Sequence, residues 1–240
     1  MTCTRLTALS FDANDPSDLA RFWAAALSWE PLDGTETVGL TPTDGTPFLL
    51  LFNPVPEPKQ GKSRIHLDLV SETPDHQAEM VARLTTLGAS RADIGQGEVP
   101  WTVMADPEGN EFCVVVRGEF LATTGLLGGI VFEPAGPTVG RFWSEATGWP
   151  VVYDQDGELA VRHPSGQGPF LTFGPPDSEE KRSKNRLHLD IAPPLHGDQA
   201  AEVERLIALG ARRIDIGQGD VPWVVMADPE GNEFCVLTPW

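Results

Sequence analysis

Residues 93–114 read DIGQGEVPWTVMADPEGNEFCV, and residues 215–236 read DIGQGDVPWVVMADPEGNEFCV. Twenty of these 22 positions are identical, and the second copy follows the first by 122 residues. Self-similarity at a fixed spacing marks a duplicated structural unit. Working outward, RIHLDL (64–69) returns as RLHLDI (186–191), and LGA (87–89) as LGA (209–211), at the same spacing. RFW (21–23) returns at 141–143 after only 120 residues, so the N-terminal parts of the copies have drifted through insertion and deletion. Six of the seven tryptophans form repeated pairs: Trp23/Trp143, Trp29/Trp149 and Trp101/Trp223, with Trp240 left over. The chain therefore divides into units 1–118 and 124–240, joined around RGEFLATTGLLGG (117–129).

Within one unit the apolar period switches between strand and helix. Residues 5–12 read as a strand. Asp15-Pro16-Ser17 then opens a helix with Leu19, Phe22, Trp23, Ala26 and Leu27 on one stripe. Short strands are expected at 36–41 and 47–53. The pattern restarts with a strand at 63–70 and a helix from about 74 to 87 carrying Met80, Val81, Leu84 and Leu87. Gly88 suits a left-handed helix stop. Strands are expected at 89–94, 100–105 and 110–116, the last two joined by Asp106-Pro107-Glu108-Gly109-Asn110. Proline presets the first corner of that turn and glycine tolerates positive φ, which makes it a hairpin. Each unit is thus two βαβββ modules, and the chain holds four.

The balance of 17 basic against 35 acidic residues gives a net charge of −18. Such a surface repels phosphate backbones and anionic lipid, so no nucleic-acid or membrane partner is expected. No apolar run reaches the roughly 18 residues of a membrane span, and the first residues lack a secretory h-region. Three cysteines without a C-x-x-C motif fit a reducing cytoplasm. Thirteen of the 17 basic residues are arginine, which fits a GC-rich bacterial gene.

Strand alternation puts Ile65, Leu67 and Leu69 on one face, and Arg64, His66 and Asp68 on the other. Phe112, Val114 and Val116 likewise oppose Glu111, Cys113 and Val115. The apolar faces call for helices above them, leaving His66 and Glu111 to line a hollow. The second unit repeats this with His188, Asp190, Glu233 and Cys235.

The paired βαβββ modules, the H-x-D strand and the DPEGNEF hairpin resemble the vicinal oxygen chelate superfamily, which includes glyoxalase I, bleomycin-resistance proteins and extradiol dioxygenases. The resemblance implies an α+β fold of two tandem glyoxalase-like domains whose curved mixed sheets form cups. It also implies a metal held by His66, Glu111, His188 and Glu233, drawn from Zn, Ni, Mn or Fe, with Glu111 or Glu233 doubling as general base in a metalloenzyme. The set is incomplete. Neither 4–10 and 47–53 in the first module nor 128–132 and 169–174 in the third contains His, Glu or Asp. Each cup then holds two protein ligands, where catalytic zinc normally has three.

Other readings of these residues remain open. His66 also serves as an ordinary hydrogen-bonding strand residue, and Glu111 as a hairpin cap or partner of Arg64. Cys113 and Cys235 read as small core residues, because no neighbouring His or Lys lowers their pKa. Trp101 and Trp223 are candidates to hold a planar ligand, with Asp68 and Asp190 beside them, or else simple core. Trp23 and Trp143 belong to the core. The GQG at 95–97 and 217–219 lacks the strand-to-helix setting of a phosphate loop.

Pairing of adjacent modules within a unit is expected, since sequential elements usually neighbour in space. Pairing of the second with the fourth would instead complete a two-His, two-Glu set. Three functions follow: a binding protein for a small aromatic or cationic molecule, a metal-dependent lyase, isomerase or dioxygenase, or a structural, partner-binding protein. Both monomer and homodimer suit four modules.

Overall fold

The computed structural model describes residues 4–33, 37–133, 135–174, 181 and 183–239. Cys3, Trp240 and the first residue of the strand expected at 36–41 lie outside them. The first module runs β1 (Arg5–Ala13), α1 (Pro16–Leu27), β2 (Glu30–Pro31), β3 (Val38–Thr41) and β4 (Leu49–Pro54). The second runs β5 (Ile65–Ser71), α2 (Pro74–Thr86), β6 (Ser90–Arg91), β7 (Thr102–Ala105) and β8 (Glu111–Val116). The third comprises β9 (Leu127–Phe132), α3 (Pro137–Thr147), β10 (Val151–Gln155), β11 (Glu158–Arg162) and β12 (Phe170–Phe173). The fourth comprises β13 (Leu187–Ala192), α4 (Gln199–Ala208), β14 (Arg212–Arg213), β15 (Val224–Ala227) and β16 (Glu233–Val236). The fold is α+β, as expected.

Local chemistry sets the element ends. The Asp15 carboxylate accepts the Asp18 N–H at the start of α1, with Pro16 in the first turn. Thr73 and Pro74 do the same for α2. Gly88, just past α2, has φ +112°, the left-handed stop its position demands. The expected 89–94 strand shrinks to Ser90–Arg91. Beyond it, the Asp93 side chain accepts the Gly95 N–H and the Gln96 side chain accepts the Ile94 N–H, so side chains replace the ladder. β2 is two residues long, one of them proline, and carries no periodic signal.

The strands form two eight-stranded sheets, ordered β14-β15-β16-β13-β1-β4-β3-β2 and β10-β11-β12-β9-β5-β8-β7-β6. At the centre of the first, β1 runs antiparallel to β13, with Ser10 opposite His188 and Ala8 opposite Asp190. At the centre of the second, β5 runs antiparallel to β9, with His66 opposite Val131 and Asp68 opposite Gly129. Each sheet therefore joins one module from each unit: first with fourth, second with third. This corrects both pairings considered from the sequence. His66 and Glu111 lie in one sheet and His188 and Glu233 in the other, so no two-His, two-Glu set exists.

Packing explains why. Within a unit the modules meet through their helical layers, not their strand edges. Trp23 of α1 packs edge-on to Phe112 of β8, with centroids 5.2 Å apart, and its indole N–H donates to Asp106 of the β7–β8 turn at 3.2 Å. Trp143, Phe234 and Asp228 repeat the arrangement at 5.1 Å and 3.2 Å. Trp23 and Trp143 are fully buried, as the stripe requires. With helices filling that side, the edges of β1 and β5 are free to pair with the other unit, and the two concave faces stay clear of the core.

Candidate functional site on the concave faces

In β13, Leu187, Leu189 and Ile191 enter the core, which turns His188 and Asp190 to the concave face. In β1, Leu9 and Phe11 enter the core and leave Ser10 beside them. In β16, Phe234 and Val236 do so and leave Glu233 and Cys235. The Ser10 hydroxyl donates to Asp190 Oδ2 at 2.6 Å, and His188 Nε2 lies 3.5 Å from Asp190 Oδ1. His188, Asp190 and Cys235 each offer a ligand atom, and these atoms lie within 4.8 Å of one another. His66, Asp68 and Cys113 form the matching cluster on the second sheet, again with Nε2 and Oδ1 3.5 Å apart.

Burial pushes the Cys235 thiol up, and the neighbouring Asp190 carboxylate adds to it. Burial likewise raises Asp190, against the pull of His188 and Ser10. In the second cluster burial disfavours the charged His66 imidazole, yet hydrogen bonds to Asp68 and Cys113 outweigh it and raise the group to about 10. Burial raises the Cys113 thiol as well. Both cysteines are buried with their thiols raised, as small core residues would be, yet each sits beside a histidine supplied by a neighbouring strand. That proximity corrects only the expectation that no histidine adjoins them, and arises from the parallel pairing of β5 with β8 and β13 with β16.

Glu111 and Glu233 have other partners. Lys59 donates to Glu111 at 2.9 Å and the Ser63 N–H at 3.0 Å. Lys181 pairs with Glu233, which also accepts the Asn185 N–H at 3.2 Å. Burial opposes the Glu111 charge, but Ser63 and Lys59 hold its carboxyl below the usual range. Further along, Lys184 binds Asp12 at 2.5 Å and Lys62 approaches Glu133 at 3.8 Å. All four lysines of the chain are thus spent on acidic groups around the two hollows. Sequence reasoning passed over Ser10, Asp12 and these lysines. The signal available was the 122-residue recurrence of Lys59 as Lys181 and Lys62 as Lys184.

A metal cage spanning both modules, as the resemblance implies, does not fit these residues. At the level of the clusters, the facing strands present Ala8, Ser10 and Leu51 in the first sheet, and Gly129, Val131 and Thr172 in the second. The donors that do lie together come from a single module each.

The hollow of the first sheet is a cavity of about 980 Å³. His188, Asp190 and Cys235 line it, with Trp223 and Leu51 on its walls and a Pro54–Pro58 segment along the rim. Trp223 and its counterpart on the second sheet, Trp101, are both exposed, at 38% and 41%, so neither is the simple core residue that one reading of the sequence allowed. The concave face of the second sheet is walled differently. Phe120 of the linker stacks on Phe170 at 4.5 Å and meets Tyr153 edge-on at 5.4 Å. The Arg162 guanidinium lies 4.7 Å over Phe170 and donates to Thr123 Oγ1 at 2.5 Å and O at 2.8 Å. Phe170 pairs with Gly129, which pairs with Asp68, so the linker covers the β12 end of that concave face.

Among the described residues, no helix is long and apolar enough to cross a membrane. Comparison with curated proteins gives no match. Solved structures do match. Maize glyoxalase I superposes with a TM-score of 0.65 at 12% identity, covering 98% of this chain and 92% of that one. Its V278E mutant gives 0.67 at 13% identity, with the same coverage. A protein of Bacillus subtilis subsp. subtilis str. 168 gives 0.63 at 14%, covering 99% and 86%. At such identities the likeness concerns the fold. A family model for the glyoxalase-like domain matches twice, over residues 8–115 and 130–237. Two βαβββ pairs, two concave sheets and two matches to one family together place the chain in the glyoxalase-like domain family, as a tandem member of the vicinal oxygen chelate superfamily.

Proposed function

We propose that the protein binds a small organic molecule in the hollow of the first sheet. The observation that carries this reading is the cavity of about 980 Å³, which lies in the range of small-molecule sites. Its walls combine an aromatic face, Trp223, with convergent polar groups, His188 and Asp190. The lysines neutralise Glu233 and Asp12, and at the floor Asp190 Oδ1 makes no hydrogen bond, with His188 Nε2 3.5 Å away. A planar ligand carrying a positive or hydrogen-bond-donating group suits that floor, and the net charge of −18 concentrates cations near it. The ligand is the partner in this reading. Nucleic acid and membrane surfaces are not, because the same charge repels them.

Thermal shift and tryptophan quenching against a panel of aromatic and cationic metabolites and antibiotics test the reading. A ligand at 100 times its Kd adds about 2.7 kcal/mol to stability. Quenching that saturates in the wild type and weakens at least tenfold in Trp223→Ala is the expected result. A panel that produces neither shift nor saturable quenching defeats the reading.

A further inference from the structure

We propose that His188, Asp190 and Cys235 form a site for a divalent cation of the zinc class, with His66, Asp68 and Cys113 as its weaker twin. The proposal rests in part on the first hollow being a binding site, since the cluster forms its floor. It differs from a cage across two modules: all three donors come from β13 and β16, and β1 supplies only support.

The donor chemistry selects the ion. One imidazole nitrogen, one carboxylate oxygen and one thiolate sulfur suit zinc, cobalt or cadmium far better than magnesium or calcium. Tetrahedral donors around zinc sit about 3.5 Å apart. Here the ligand atoms lie within 4.8 Å, a gap that small rotations of the side chains close. Three protein ligands leave the fourth position open toward the cavity.

A second observation is independent of the clustering. Asp190 Oδ1 is buried and makes no hydrogen bond, in a side chain less than a tenth exposed, with His188 Nε2 standing off at 3.5 Å. Buried polar atoms are nearly always satisfied, so an orphan oxygen on the carboxylate of the cluster points to a missing group. Ser10 fixes Oδ2, as an outer partner orients a metal-binding carboxylate, and leaves Oδ1 for the ion. The lysines on Glu233 and Asp12 keep those nearby carboxylates from competing for it. In the twin, Asp68 Oδ1 likewise lies 3.5 Å from the imidazole, here of His66, but Val131 stands where Ser10 does in the first cluster. Without the hydroxyl Asp68 is less firmly aimed, and binding there is weaker.

Binding deprotonates the cysteine: the S–H bond breaks, a sulfur–metal bond forms, and the proton passes to buffer. Titrating the chelator-stripped full chain with Co²⁺ under reducing conditions reads this directly, through the thiolate-to-cobalt charge-transfer band and proton release. Two equivalents are expected, the tighter lost in Cys235→Ser and the weaker in Cys113→Ser. The double variant shows no band, whereas Cys3→Ser keeps both. Ser10→Ala weakens the tighter site about tenfold or more. Should Cys235→Ser fail to fold, the near-isosteric Asp190→Asn serves, and loss of the tighter phase is again expected. Absence of a charge-transfer band in the wild type, or its survival in the double variant, overturns the proposal. Saturable quenching of Trp223 by an organic ligand in a chain without the band would refute the cation site and leave the binding reading standing.

Discussion

Truncating Phe120 to alanine tests whether the linker is a structural wall of the second hollow. Deleting a fully buried phenylalanine side chain costs about 3–5 kcal/mol. Phe120 keeps 40% of its surface exposed, so about three-fifths of that loss applies, or roughly 2–3 kcal/mol. For a chain of this size the melting temperature should fall by roughly 4–12 °C. Part of the loss belongs to one partner. The Phe120 and Phe170 rings stack at 4.5 Å with planes 22° apart, and such aromatic pairs contribute about 0.5–1.5 kcal/mol beyond area burial. Urea unfolding of the wild type, Phe120→Ala, Phe170→Ala and the double variant forms the cycle that isolates this term. The expected coupling is about 1 kcal/mol. A Phe120→Ala loss below about 0.5 kcal/mol, the usual scatter of surface substitutions, would mean that the linker merely lies on the sheet.

Three further outcomes follow from the packing. Burial pushes the Asp106 carboxyl from the ordinary 3.8 up to about 6, against hydrogen bonds from Asn110, Glu108 and Trp23. The folded chain holds this proton more tightly than the unfolded one. Its contribution is therefore full below about pH 4 and lost as pH rises through about 6, by roughly 3 kcal/mol. Stability of the wild type minus that of Asp106→Asn should fall by this order between about pH 4 and about pH 7, and a flat difference by urea unfolding contradicts the assignment. Arg83 donates to the Ala25 and Ala26 carbonyls at the end of α1, at 2.9 Å and 3.0 Å. Because the side chain is solvent-exposed, Arg83→Met should cost only about 1 kcal/mol in denaturant unfolding. At Gly140 in α3 a Cβ would lie 2.4 Å from Leu159 Cδ2 and 2.9 Å from Phe173 Cδ2. Overpacking of about 1–3 kcal/mol should outweigh the helix-propensity gain of about 1 kcal/mol, so Gly140→Ala lowers the melting temperature.

The modules were legible because their signals are local. The stripe from Leu19 to Leu27, the Asp15-Pro16 cap and the DPEGN turn each occupy a few adjacent residues, and all appear where the pattern puts them. The partnership of sheets was not legible, because β1 and β9 are both buried along nearly their whole length and nothing in either names its neighbour. Contacts such as Ser10 with Asp190, 180 positions apart, depend on that choice. The same limit hid the company kept by Cys113 and Glu111. Alternation put His66, Cys113 and Glu111 on one face, but only the register of β5 against β8 sets the thiol beside the imidazole and gives the carboxylate to Lys59.

The crossed-over sheets bear on how the gene came to be doubled. An unfused half would carry β1 and β5 with bare central edges, and two such halves could satisfy both by an isologous two-fold contact, β1 of one copy against β5 of the other. Fusion turns that bimolecular encounter into an intramolecular one, independent of protein concentration. It also releases the halves from sameness. Once a single polypeptide supplies both sides of each seam, a serine in one hollow can face a valine in its twin, and the tether itself can settle over one of the two. Asymmetry of this kind is closed to a dimer of identical subunits.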